Sequence, residues 1–172
     1  VSLVLESPQP GSIEYELTDE SGFRIPGKVT FFTVDGEDIR RPDLGDGYIG
    51  GRPAQVSFAA HGHGQVALPP GEYYAVASRG TEYELDTSEP FRVRRNTHTK
   101  LQCTMIRSVD TTGWISADFH VHAMPSPDSG VSLTDRVITF VAEGVEFMAS
   151  SDHDAIIDYE PIVEQLSLEP WI

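Results

Sequence analysis

Cysteine is nearly missing from this chain of 172 residues: Cys103 is the only one, which excludes an intrachain disulfide framework. The pattern Leu101-x-Cys103-x-Met105 places it inside a strand, as a buried small hydrophobe rather than a reactive thiol. Long apolar runs are also missing. No stretch reaches the 18 or so residues that a membrane-spanning helix needs. The opening Val1-Ser2-Leu3-Val4-Leu5 is short and has no basic lead, so it reads as a strand and not as a signal peptide. Basic residues are scarce: 12 Lys and Arg stand against 27 Asp and Glu, for a net charge of −15. That balance argues against nucleic acid or an anionic membrane as the main partner, because both would be repelled. No internal repeat is visible.

What is present suffices for a folded protein. Hydrophobic residues make up 39% of the chain, enough to build a core and to exclude disorder. The length accommodates one large or two small domains. Through about residue 110 the chain carries short segments rich in Val, Phe and Tyr, bounded by turn residues. Expected strands are Ile13–Thr18, Lys28–Val34, Gln55–Ala60, Gln65–Leu68, Glu72–Arg79, Phe91–Arg95 and Lys100–Arg107. Asp19-Glu20-Ser21-Gly22, Asp35-Gly36 and Pro69-Pro70-Gly71 read as turns. Residues 36–54, rich in Gly, Asp and Pro, read as one long loop. Strands with this punctuation point to an antiparallel β-sandwich.

The texture changes at Asp110-Thr111-Thr112-Gly113. A strand, Ile115–His122, precedes a loop, Ala123–Gly130, and a helix from Leu133 to Glu143. Ser132 is the expected N-cap, with Asp135 at the third helical position. Leu133, Val137, Phe140 and Val141 share one helical face, and Gly144 suits the residue beyond the helix end. Val145–Ser150 reads as a second strand, parallel to the first. A second helix is expected over Asp158–Leu166, with Pro161 in its first turn. This gives a sandwich domain over residues 1–110 and an α/β segment over 111–172.

The α/β segment holds the chemistry. Asp118-Phe119-His120-Val121-His122 lies on the first strand, and Ser151-Asp152-His153 follows the second. Strand alternation puts Asp118, His120 and His122 on one face, with the imidazoles about 7 Å apart along it. With Asp128 in the intervening loop, the five side chains of His120, His122, Asp128, Asp152 and His153 can converge at neighbouring strand ends. Imidazole with carboxylate suits zinc, iron or manganese. With no cysteine nearby, a site open to water fits better than a closed structural one.

These residues resemble a known family. Asp118-Phe119-His120-Val121-His122, Ser126-Pro127-Asp128-Ser129, Ala142-Glu143-Gly144-Val145-Glu146 and Ser150-Ser151-Asp152-His153 are together similar to the start of the PHP (polymerase and histidinol phosphatase) superfamily, in its carbaryl-hydrolase-like branch. Leu68-Pro69-Pro70-Gly71-Glu72-Tyr73 and Ser78-Arg79-Gly80-Thr81-Glu82-Tyr83 resemble a carboxypeptidase-regulatory or transthyretin-like sandwich. The resemblance implies that His120 and His122 bind one metal ion and that Asp128 and His153 are associated with a neighbouring one. Asp152 would orient its neighbours, and Asp118 would accept an imidazole N–H and fix its tautomer. Ser151 departs from the family's usual Thr, but keeps the hydroxyl.

The implied fold is an Ig- or transthyretin-like β-sandwich followed by the opening of a PHP-type (β/α)7 barrel. Only about sixty residues follow Trp114, too few for a barrel of roughly 200 residues. The chain then reads as a fragment, cut off as it approaches a third strand. The implied function is that of part of a metal-dependent hydrolase of phosphoesters or related esters, holding two or three zinc, manganese or iron ions when whole and inactive as a fragment. The alternative is a non-catalytic binding or positioning sandwich that associates through the α/β segment, with a homodimer as its expected form.

Other candidates have plainer readings. His61-Gly62-His63 reads as a flexible loop, and His98 as a surface turn residue. Tyr73, Tyr74 and Tyr83 read as core before ligand platform. Arg40-Arg41 is too short for a nucleic-acid patch, and Asp154 and Asp158 read as helix-capping acids.

Overall fold

The computed structural model describes residues 9–35 and 55–172. The expected loop over 36–54, the strand at Val1–Leu5 and the pair Arg40-Arg41 lie outside these residues. Strand alternation builds most of what is described. In β1 (Gly11–Asp19), Ile13, Tyr15 and Leu17 are buried while Glu14 and Glu16 face outward. β2 (Gly27–Thr33) buries Val29 and Phe31, and β5 (Gly71–Ser78) buries Tyr73, Ala75 and Ala77. These side chains face one another across two sheets and form one core.

One sheet runs in the order β4-β1-β8, where β4 is His63–Leu68 and β8 is His98–Met105. The other runs β3-β2-β5, with β3 at Gln55–Ala59. Along the free edge of β5 lie two short strands, β6 (Asp86–Thr87) and β7 (Phe91–Val93). All seven expected sandwich strands are present, and β6 is an addition. One departure concerns direction. β1 pairs with β4 antiparallel but with β8 parallel, in the register Ser12↔His98 through Asp19↔Met105. The period of two says which face a side chain takes, and not which way its neighbour runs.

Of the expected core tyrosines, Tyr73 is buried and Tyr83 packs against the core, while Tyr74 is half-buried outside it. Tyr15 Oη shares a hydrogen bond with Ser57 Oγ at 2.6 Å, and Tyr73 Oη donates to the Pro69 carbonyl at 3.0 Å. Each buried ring thereby satisfies its hydroxyl. Tyr74 stacks on Phe32, and Tyr83 packs against the core edge. Cys103 is buried, and that burial pushes its thiol up to about 12. His61-Gly62-His63 is no flexible loop. Gly62 has φ +70°, and a β-carbon there would stand 2.8 Å from the Ile25 carbonyl oxygen. Its own carbonyl accepts from Leu17 N at 2.7 Å, which docks the β3–β4 turn against β1.

The α/β segment follows. β9 (Ala117–Val121) and β10 (Phe147–Ser150) are parallel, joined by α1 (Leu133–Ala142). The Ser132 hydroxyl accepts Asp135 N at 3.0 Å, and Gly144 beyond the helix takes φ +74°. α2 (Glu160–Leu166) carries its Pro in the first turn and ends on Ser167 at φ 55°. Ala123, Val137, Val141, Tyr159, Val163 and Leu168 form a second core. Trp171 packs against both cores and ties the two parts together. The two strands form an open pair with a register irregularity between Met148 and Ser150. The described chain is therefore mostly β-sheet in sandwich form. The opening of a (β/α)7 barrel, which the resemblance implied, is not shown: a barrel's first strands are flanked by further strands, and this pair has none among the described residues.

Candidate metal centre

The site forms where β9 and β10 end. Both strands deliver their last residues to the same edge, as parallel strands must. Ser151 N donates to the Val121 carbonyl at 2.9 Å, which continues the pairing one step past β10. Asp152, 8% exposed, then turns inward. Its Oδ1 accepts the backbone N–H of Ala123 at 2.7 Å, and its Oδ2 accepts the Ser150 hydroxyl at 2.8 Å. Burial works against its charge, but these donors outweigh it and hold the carboxyl below the usual carboxylate range.

His122, Asp128 and His153 come together here. One ligand atom from each lies within 4.8 Å of the others. His122 Nδ1 is 3.0 Å from both oxygens of Asp128, and His153 Nε2 is 3.4 Å from Asp128 Oδ2. The rings of His122 and His153 meet edge-on, with centroids 4.9 Å apart. Ser126 is the hub beneath them. It is buried, donates to Asp128 Oδ1 at 2.6 Å and accepts His153 N at 3.1 Å. The Ser126 hydroxyl and then the His122 ring hold the Asp128 carboxyl down at about 2.

The donor set fits a divalent ion. The two edges to Asp128, 3.0 and 3.4 Å, suit hydrogen bonds and also suit ligands held about 2.0–2.2 Å from one ion. His122 Nε2 is buried and has no hydrogen-bond partner, an unusual state for a ring nitrogen. Asp128 and His153 keep about half of their side-chain surface exposed, so the site is open to water.

The expected residues divide. His120 stands beside the cluster, its ring 4.8 Å from that of His122, without joining the group of three. Asp118 accepts the backbone N–H of His120 at 2.9 Å, where an imidazole N–H was expected. Asp118, His120, His122 and Asp128 line an open cleft of about 340 Å³ with Arg136 and Phe140 of α1. The reading of the residues gave no role to Ser126 or Arg136. Ser126 had a signal, since a Ser two positions before an Asp in a loop readily bonds its carboxylate. Arg136 had none, because only the packing of α1 brings it to the cleft.

No family model matches the chain, and no curated protein matches it. Solved structures do. The Bacillus anthracis TIE protein is similar at 12% identity and a TM-score of 0.43, over 71% of this chain and 20% of that one. BcpA, the major pilin subunit of Bacillus cereus, is similar at 18% identity and a TM-score of 0.42, over 59% of this chain and 31% of that one. A variant of the same pilin gives 17% and 0.41. The chain spans about a third or less of the structures it matches. The PHP resemblance is thereby corrected, and with it the reading as a fragment of a zinc or manganese phosphoesterase. No family model matches, and among the described residues the α/β segment forms only an open two-stranded sheet beside a sandwich. The physical reason is that His-x-His and Asp-His spacings report which side chains meet at two strand ends, and not the remainder of a barrel.

Proposed function

We propose that the chain is a non-catalytic binding and positioning module. Its sandwich carries an α/β segment that holds one divalent transition-metal ion through His122, Asp128 and His153, with His120 at the rim. The convergence of one ligand atom from each of the three side chains carries this reading. Ser126 and Asp152 serve the site by orientation: they hold Asp128 and the two strand ends, as outer partners of a metal site do.

Titration with Co(II), followed by visible absorption, tests the site. The expected result is one equivalent bound with ligand-field bands, lost in His122→Ala and His153→Ala. A chain that takes up no Co(II), or variants that bind as well as the parent, defeats the reading.

The partner fitted by the same segment is a second copy of the chain. Phe119 is 72% exposed and its ring lies 5.6 Å from that of the exposed Phe147. Trp114 and Ile115 are exposed on the approach to β9. Both β9 and β10 are edge strands of a two-stranded sheet, and free edges invite pairing. Sedimentation equilibrium checks this: a dimer is expected, and Phe119→Glu should return it to monomer. A monomer at high concentration rejects it.

A further inference from the structure

Helix α1 has no basic residue in its last turn, although its final carbonyls carry partial negative charge and lack partners within the helix. The Val141 carbonyl accepts Gly144 N at 3.2 Å just past the helix, and the sandwich adds a charged donor to it. Arg79, at the end of β5, is 5% exposed. Its Nη1 donates to the Val141 carbonyl at 2.7 Å and to the Pro26 carbonyl at 2.9 Å. The guanidinium lies over the ring of Trp171 at 4.9 Å and that of Tyr83 at 5.7 Å. Lys28, on β2, pairs with Glu143 just past the helix. Gly80 completes the fit. Its φ is +59°, and a β-carbon there would stand 2.1 Å from the Glu143 carbonyl oxygen.

Three sandwich residues thus converge on positions 141–143. The helix they hold is the crossover between the strand that leads to His122 and the strand that leads to His153. Five residues separate Val141 from the first residue of β10, and Glu146 N and Phe147 N both donate to the Ser116 carbonyl at the foot of β9. A shift of the helix end therefore reaches β10 with little slack. Burial works against the charge of Arg79, and Tyr83, Glu82 and Glu146 nearby offset part of that; two carbonyls and two rings touch the guanidinium directly, and its Nε is unpartnered. Such a cation is costly to bury unless what it holds matters.

We infer that Arg79 is a positioning residue for the His122–Asp128–His153 cluster, capping the crossover helix from the neighbouring domain and so setting where His153 meets His122. The inference rests on the metal-binding reading above. A sandwich that was only a tether would need neither the cap nor the glycine beside it.

The test uses the full chain and Co(II) alone. Affinity and the ligand-field band are read for the parent, Arg79→Met, Arg79→Lys and Gly80→Ala, with circular dichroism reporting the fold of each. Arg79→Met keeps the length of the side chain but loses the donors. It should weaken Co(II) binding by about tenfold, the low end for outer-partner loss, and should shift the band. Arg79→Lys should recover part of both. Gly80→Ala pushes on the Glu143 carbonyl at the same helix end and should shift the band even if Arg79→Met does not fold. A folded Arg79→Met or Gly80→Ala protein with the parent's affinity and band overturns the inference. Absence of Co(II) binding in the parent overturns the metal-binding reading instead, so the two failures are distinct.

Discussion

Asp152 accepts the backbone N–H of Ala123 across 29 positions of sequence, at 2.7 Å. That one bond joins the second residue after β10 to the second residue after β9 and holds the two strand ends together. Ala123 is fully buried, so its N–H has no water to turn to. Asp152→Ala should cost about 1–3 kcal/mol, the range for a stranded buried donor, in urea unfolding. Asp152→Asn keeps an acceptor oxygen and should cost less. Equal losses in the two variants would show that the bond is not what Asp152 contributes.

Ser126 holds two partners at once, the carboxylate of Asp128 and the backbone of His153. Ser126→Ala should therefore loosen two of the three converging side chains and weaken Co(II) binding by about ten- to a hundredfold. Its Asp128 carboxyl, which the Ser126 hydroxyl helps to hold down at about 2, should also titrate higher. Carboxyl carbon NMR across the acid range reads that directly, and an unmoved Asp128 would refute the assignment.

Cys103 should be silent to thiol reagents in the native protein. Only the thiolate reacts, and burial holds this thiol near 12. At pH 8.5 the folded chain should consume no Ellman's reagent over a period in which the urea-unfolded chain consumes one equivalent. Fast labelling of the folded form would place Cys103 outside the core.

Asp19 gives a pH signature. Its carboxylate accepts from the Ser21 hydroxyl, and from the backbone of Phe23 and Ser21, and these bonds hold its carboxyl below the ordinary value. A folded value below the unfolded one means that the contribution is complete above the unfolded value of about 3.9. It is lost as pH falls through the folded value. Asp19→Ala should destabilise the chain at pH 7, and the difference should shrink below pH 4. A difference that stays constant down to pH 2 would contradict this.

Much of the architecture was legible because local patterns determine it. Ile13, Tyr15 and Leu17 announce a half-buried strand, and Ser132 with Asp135 announces a helix start. The parallel pairing of β1 with β8 was not legible, since Ser12 through Asp19 would alternate identically beside a neighbour of either direction. β6 has two residues and no pattern to read. At the site, His122, Asp128 and His153 were legible from spacing and strand ends. The distant role of Arg79 was not, because its partners Pro26 and Val141 lie 53 and 62 positions away and offer only carbonyls. The family resemblance failed for a related reason: short motifs carry side chains, and topology is carried by everything between them.

The parallel pairing of β1 has a consequence for how the chain is made. β1 is the central strand of its sheet, and its neighbours β4 and β8 begin at residues 63 and 98. Emerging from a ribosome, β1 can pair with β4 and meet β2 and β5 once Ser78 is made, but its second edge waits until Met105 has been synthesised. At about 5–20 residues per second that is a delay of several seconds. Pairings this distant also slow refolding of the free chain. The first described strand of the sandwich is thus the one whose second edge waits longest for its partner within that sheet.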